Sequence, residues 1–339
     1  MLHCSFGKIS LTITSLILMI IALLWFLLQP NDDIDNYQSY YHHDSAPLRD
    51  NTVKITFLGT TSLLFDDGET QLMIDGFISR PPLWQVIASK LTTDKPAVDT
   101  MLNRLQVNRL QGVFASHSHY DHALDIAYIA QRTGAKLYGS ISTLNIGRGA
   151  GLTADQLQLY EPNKTLHIGQ FRIMVLPSKH TPAVVGVGIN DDLGEQINAP
   201  LQQPVRIGAY KEGGSYDFLL RHGRASFFIK PDTNFVAGAL DNIRADVLLL
   251  GTAMLGKQQP EFQQQFYDET VGKIHPQLVI PVHWDNFFHP LSEHLVALPW
   301  VADDLKQSFD FLIFRTKTDK IKFQILQGYQ SLIWSSPPK

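Results

Sequence analysis

Between residues 53 and 326 the chain alternates short apolar runs with turn residues, the pattern of a sheet-rich domain. Val53 to Leu58 predicts a strand by alternation and β-branched content, and Gly59-Thr60-Thr61 ends it. Ser62 to Phe65 and Gln71 to Ile74 predict a hairpin around Asp66-Asp67-Gly68, closing at Asp75-Gly76. Further strands are expected at Val113 to Ser116, Lys136 to Gly139, Phe171 to Leu176, Tyr216 to Leu220 and Ala225 to Ile229. Val247 to Leu250 and Leu278 to Val282 are apolar throughout, as interior strands are. A helix is expected over 123–132, where Leu124, Ala127 and Ala130 recur at three and Gly134 supplies a stop. Shorter helical patterns cover Leu83 to Leu91 and residues 260–271. Phe309 to Arg315 and Ile321 to Leu326 read as a final strand pair around Thr318-Asp319-Lys320. Residues 77–108 and 188–214 lack a clear period, and Gly147, Gly149 and Gly151 read as turn material. Strands with intermittent helices imply a layered α/β domain with sheet at its centre. The strand-rich start of each half is compatible with two similar halves.

A different pattern precedes this domain. Ile9 to Leu28 carries no charge, and twenty helical residues span about 30 Å, the thickness of a bilayer core. A cleaved signal would have a shorter apolar core and small residues at its end. Here the run closes on Trp25-Phe26-Leu27-Leu28-Gln29-Pro30. The expected organisation is therefore a tail (1–8), a transmembrane anchor (9–28), a linker (29–50) and a catalytic domain (51–334). Lys8 before the run and Asp32, Asp33 and Asp35 after it favour a single-pass membrane protein with the domain on the extracytoplasmic side.

Composition narrows the chemistry. The 339 residues are 44% hydrophobic with a net charge of -4, which gives no nucleic-acid footprint, and none is expected as a partner. Cys4 is the only cysteine, so an internal disulfide or a cysteine-rich metal site is excluded.

Residues 116–122 read Ser-His-Ser-His-Tyr-Asp-His, directly after an apolar run. His117 and His119 share a side if the segment is extended, and the following turn can redirect Asp121 and His122. A helix cap would account for Ser116 or Asp121, but not for three imidazoles within six positions. Such neutral donors with one hard carboxylate suit Zn, with Mn or Fe as alternatives.

This His-x-His-x-Asp-His pattern after a strand resembles the metallo-β-lactamase superfamily, and Thr56-Phe57-Leu58-Gly59-Thr60 and the turn at Asp75 extend the resemblance across most of 53–328. It implies a four-layer αββα sandwich with a dinuclear site at one edge. Carried over residue by residue, it implies His117, His119 and His180 around one divalent ion, Asp121, His122 and His283 around a second, and Asp232 between them. Pro231 departs from the glycine usual before that aspartate. Asp121 is also the catalytic candidate, as a hydrogen-bond acceptor for the nucleophile. Ser116 to Asp125 looks closer to lactonase and phospholipase-D-like branches than to antibiotic-cleaving members.

Candidates for substrate contact are His289, Tyr216, Trp84 and Tyr120; packing in a loop or the core is the favoured reading for the first three and an open alternative for Tyr120. Asp285 could orient a ligand histidine or sit in a surface turn. The function expected is hydrolysis of an ester, lactone or phosphodiester, with a small-molecule or lipid-derived substrate. The alternative is a non-catalytic membrane-associated binding or assembly protein on the same scaffold.

Overall fold

The apolar runs assemble into two sheets. The first contains β1 (Thr52–Phe57), β2 (Leu63–Asp66), β3 (Gln71–Ile74), β4 (Leu110–Phe114), β5 (Lys136–Gly139) and β6 (Leu157–Leu159). The second contains β7 (Thr165–Ile168), β8 (Phe171–Pro177), β9 (Tyr216–His222), β10 (Ala225–Lys230), β11 (Val247–Gly251), β12 (Leu278–Val282) and β13 (Lys322–Phe323). β14 (Ser331–Ser335) returns to the first sheet beside β1. The strand orders are β14-β1-β2-β3-β4-β5-β6 and β13-β12-β11-β10-β9-β8-β7. From β14 to β6, and again from β7 to β13, three antiparallel pairings are followed by three parallel ones. The two halves thus share one topology. In this computed structural model the described residues are 3–30, 32–43, 52–183 and 193–335.

The sheets face each other through aromatic side chains, with Phe65 edge-on to Phe227 at 5.8 Å and Phe114 edge-on to Phe218 at 6.3 Å. Helices accompany the sheets. In chain order they are α1 (His3–Leu27), α2 (Leu83–Ala88), α3 (Lys95–Arg104), α4 (Tyr120–Ala123), α5 (Ile126–Thr133), α6 (Ile141–Gly149), α7 (Pro260–Glu269), α8 (Val271–Ile274) and α9 (Leu305–Thr318). Val98, Met101, Ile126 and Ile129 pack on the outer side chains Leu64, Met73, Val113 and Leu137 of the first sheet. Phe266, Phe309 and Leu312 join the cluster that includes the second. The architecture is an αββα sandwich of two mixed sheets, as expected.

Three expectations give way locally. Residues 309–315 are helical rather than extended, because Asp304 caps α9 by accepting from the Gln307 amide at 2.9 Å and Leu305, Phe309, Leu312 and Thr316 fall on one buried face. Gly147 and Gly149 lie inside α6, not in a turn. They admit close neighbours: a Cβ on Gly149 would meet the Leu201 carbonyl oxygen at 1.9 Å. The stretch 77–108 contains α3, capped by Asp94 with Pro96 in the first turn.

The membrane anchor is corrected as well. Among the described residues no helix is long and apolar enough to cross a membrane. The end of α1 is instead tied to the domain. Trp300 donates its amide to the Gln29 carbonyl at 2.7 Å, Val301 donates to Leu27 at 3.2 Å, and Phe26 contacts the Trp300 ring. The single-pass location, the membrane as partner and the placement of the domain across it lose their basis. Residues 34–40, within the expected linker, form a 3-10 helix whose Ile34 and Tyr37 are buried in the core. Residues 44–50 lie outside the described residues.

Candidate metal centre

Loops at the C-terminal ends of five strands meet at one edge of the sandwich. Asp75 follows β3, the 116–122 segment follows β4, His180 follows β8, Asp232 follows β10 and His283 follows β12. Strand ends are suited to this: the sheets fix the origin of each loop, while the loops are free of ladder hydrogen bonds and can turn side chains inward.

Two trios result, His117–His119–His180 and Asp121–His122–His283, each with one donor atom per residue within 4.8 Å of the others. In the first, His119 Nδ1 lies 3.1 Å from His180 Nε2. In the second, His283 Nε2 lies 3.2 Å from His122 Nε2 and 3.5 Å from Asp121 Oδ2. Asp232 reaches the first trio, with Oδ2 3.6 Å from His117 Nδ1 and Oδ1 3.8 Å from His180 Nε2. Ring centroids of His117 and His122 are 3.9 Å apart, so the two trios adjoin. The seven residues singled out in the sequence are brought together.

Hydrogen bonds from outside orient several of these rings. Asp75, fully buried, sits 2.8 Å from His122 Nδ1 and leaves Nε2 to face the centre. It also accepts from the Ser116 amide at 2.7 Å, the Ser116 hydroxyl at 2.8 Å and the Thr61 hydroxyl. The Thr181 carbonyl lies 2.9 Å from His180 Nδ1. Beneath the Asp232 and His180 loops, Lys230 donates to Asp217 at 3.0 Å and to the Ser178 hydroxyl at 2.7 Å, all three largely withdrawn from solvent. Burial raises Asp217 to about 6 even with that lysine beside it.

The electrostatics favour a cation. Burial, reinforced by the neighbouring imidazoles, holds His117 well below its ordinary value, and so neutral as a ligand must be. Burial works against a charged His122 too, but Asp121 and Asp75 raise it to about 9. Burial alone would raise Asp121; His122 and His283 hold it well below the usual carboxylate range. Buried polar atoms are also left without a partner among the described residues, namely His117 Nε2 and Asp232 Oδ2. Such orphans are costly in a finished core and expected where ions complete the coordination. The donor set of imidazoles and carboxylates fits two divalent ions, with Zn the best match.

The other candidates are dispersed. Tyr216 is half-buried near the centre, its amide donating to the Ser116 carbonyl at 2.9 Å and its ring 4.9 Å from Tyr160. Tyr120 is buried and packs edge-on to Phe77 at 5.6 Å. Trp84 is 67% exposed on α2, and His289 is exposed. Phe287, which the sequence reading passed over, stands 5.6 Å from the His283 ring and 6.2 Å from Phe77. Asp285 orients no histidine ring. It is fully buried and pairs with Arg80 at 2.5 Å. The role of Arg80 had no local signal, because its partner lies 205 residues away.

The family model for the "Metallo-beta-lactamase superfamily" matches residues 55–201, which includes the 116–122 cluster. Over these residues the chain is similar to the metallo-β-lactamase superfamily. A curated relative, a UPF0173 metal-dependent hydrolase of Heliobacterium modesticaldum, is 24% identical over 261 residues, spanning 75% of this chain and 91% of that protein. Among solved structures, a metallo hydrolase from Ignicoccus hospitalis aligns with a TM-score of 0.53 at 16% identity, covering 84% of this chain and all of that one. An isothiocyanate hydrolase from Delia radicum gut bacteria aligns equally well (0.53) at 13% identity, again over 84% of this chain and all of that one. The two structural likenesses show a shared fold and nothing about substrate.

Proposed function

We propose that this metallo-β-lactamase-fold hydrolase uses a dinuclear centre to cleave a small ester, lactone or phosphodiester. The observation that carries the reading is the pair of adjoining trios with Asp232 beside them. His117, His119 and His180 would hold one ion and Asp121, His122 and His283 the other, with Asp232 available to both. Two divalent ions bound there supply Lewis acidity and make water acidic enough to lose a proton near neutral pH. The chain's own residues supply position. Asp75 and the Thr181 carbonyl fix which ring nitrogens face inward. Asp121, 15% exposed and held ionised by two histidines, is placed to accept a hydrogen bond from an attacking water. Tyr216, whose amide donates to the Ser116 carbonyl, and Phe287, beside the His283 ring, are the groups proposed to orient a substrate. A lipid-derived substrate loses the support of a membrane tether and keeps only the likeness of Ser116 to Asp125 to phospholipase-D-like branches.

The test is hydrolysis of p-nitrophenyl esters, bis(p-nitrophenyl) phosphate and simple lactones by zinc-loaded protein. Turnover of at least one class, abolished by chelation and reduced at least a hundredfold in His117→Ala and Asp121→Ala, is expected. Folded, zinc-loaded protein that turns over none of them favours the binding-protein alternative.

A further inference from the structure

We infer that Arg80 is a positioning residue for the second trio, acting through Asp285 to hold the His283 backbone in place. The inference rests on the dinuclear reading above and concerns a residue outside the ligand set.

His283 differs from His122 and His180 in how it is held. His122 has Asp75 and His180 has the Thr181 carbonyl against the nitrogen that faces away from the centre. His283 Nδ1 is buried with no such partner among the described residues. Its ring direction is set by its main chain, which lies at φ +60, a region costly for a residue with a side chain. Something must hold that conformation. The His283 amide donates to the Thr60 carbonyl at 2.7 Å, and the Thr60 amide returns a hydrogen bond to Asp285 Oδ1 at 2.7 Å. Arg80 Nη2 closes the clasp, donating to Asp285 Oδ2 at 2.5 Å and to the Asn286 carbonyl at 3.0 Å.

Arg80 is itself anchored from the other half of the trio. The amides of Ile78 and Ser79 donate to Asp125 Oδ2 at 2.8 and 2.7 Å, and the Ser79 hydroxyl donates to Asp125 Oδ1 at 2.6 Å. Asp125 lies three residues after His122. One connected path therefore runs from the His122 turn, through Asp125 and Arg80, to Asp285 and His283. It links a ligand loop of the first sheet to a ligand loop of the second. Stability alone gives a poor account of this pair: Arg80 is 2% exposed, and its Nε and Nη1 have no partner among the described residues. Buried ion pairs often do no better than apolar side chains of the same size. Room has been kept for the guanidinium nonetheless, since a Cβ on Gly59 would meet Arg80 Nη1 at 2.1 Å.

The experiment measures stepwise metal binding by chelator competition, with bound zinc counted by mass spectrometry. His180→Ala and His283→Ala assign the two steps to their trios, and circular dichroism confirms folding. In Arg80→Met the step lost in His283→Ala is expected to weaken 10- to 100-fold, while the other stays within threefold. Arg80→Lys, which restores a buried cation, recovers part of the loss. If Arg80→Met does not fold, Asp285→Asn and Arg80→Lys are measured instead, and a selective weakening of the same step is expected. Equal weakening of both steps marks a merely structural role and overturns the proposal, as does wild-type affinity at both. Failure of the dinuclear reading is separate: it shows in the wild-type protein, as uptake of fewer than two ions before any Arg80 variant is made.

Discussion

A single carboxylate illustrates how much of the centre depends on residues outside it. Asp75, fully buried, gathers Thr61 from one segment and Ser116 and His122 from another. Asp75→Asn places an amide group among these donors and weakens the hold on His122. Zinc affinity is expected to fall about 10- to 100-fold, read by chelator competition. Asp303 offers a residue-scale test away from the centre. It is buried beside the start of α9, and burial raises it to about 7 despite accepting backbone N–H groups. A carboxyl group that holds its proton more tightly folded than unfolded adds stability that is fully present below about pH 4. That stability is lost as pH rises through about 7. Asp303→Asn should flatten this decline. Midpoints of urea unfolding at pH 5 and pH 8 check it, and an unchanged slope between the two proteins would count against the shift.

Elements set the loops that carry the ligands, and β11 shows how tightly. A Cβ on Gly251 would lie 2.0 Å from the Pro231 carbonyl oxygen, directly before Asp232. Gly251→Ala must push this loop or bend the strand. It is expected to cost about 1–3 kcal/mol in urea unfolding and to weaken zinc binding, whereas Gly208→Ala, with open space around it, should change neither. The departure at Pro231, noted from the sequence, thus sits where a small residue is needed on the neighbouring strand instead. Strands were legible wherever their side chains are buried, as in β11 and β12, because an unbroken apolar run has few other uses. The ligand cluster at 117–122 was legible because its chemistry is local. α9 was misread as a strand since Phe309 to Arg315 is apolar on nearly every position, and only the Asp304 cap and the spacing of Leu305, Phe309 and Leu312 reveal its period. The Arg80–Asp285 pair was invisible, as its two charges meet only after both sheets have formed.

At the scale of the molecule, the centre is a seam between halves of matching topology. Asp75 follows β3 in the first sheet and Asp232 follows β10 in the second, the strands that occupy the same place in the two pairing patterns. One of these carboxylates is turned toward a ring nitrogen from outside, the other toward the centre itself. His117, His119, Asp121 and His122 come from the first half, and His180, Asp232 and His283 from the second. Each trio therefore draws ligands from both halves. Ions held there tie the halves together, so metal binding and folding are coupled across the whole chain rather than within one loop. Free zinc at a hundred times its dissociation constant is expected to add about 2.7 kcal/mol per independent site. Calorimetry before and after EDTA should show a lower midpoint for the stripped protein, restored by zinc. In His283→Ala the stripped and loaded midpoints should lie closer together, because the second ion would keep only Asp232 from the second half. A chelation shift of the same size in both proteins would mean that the second trio takes up no ion.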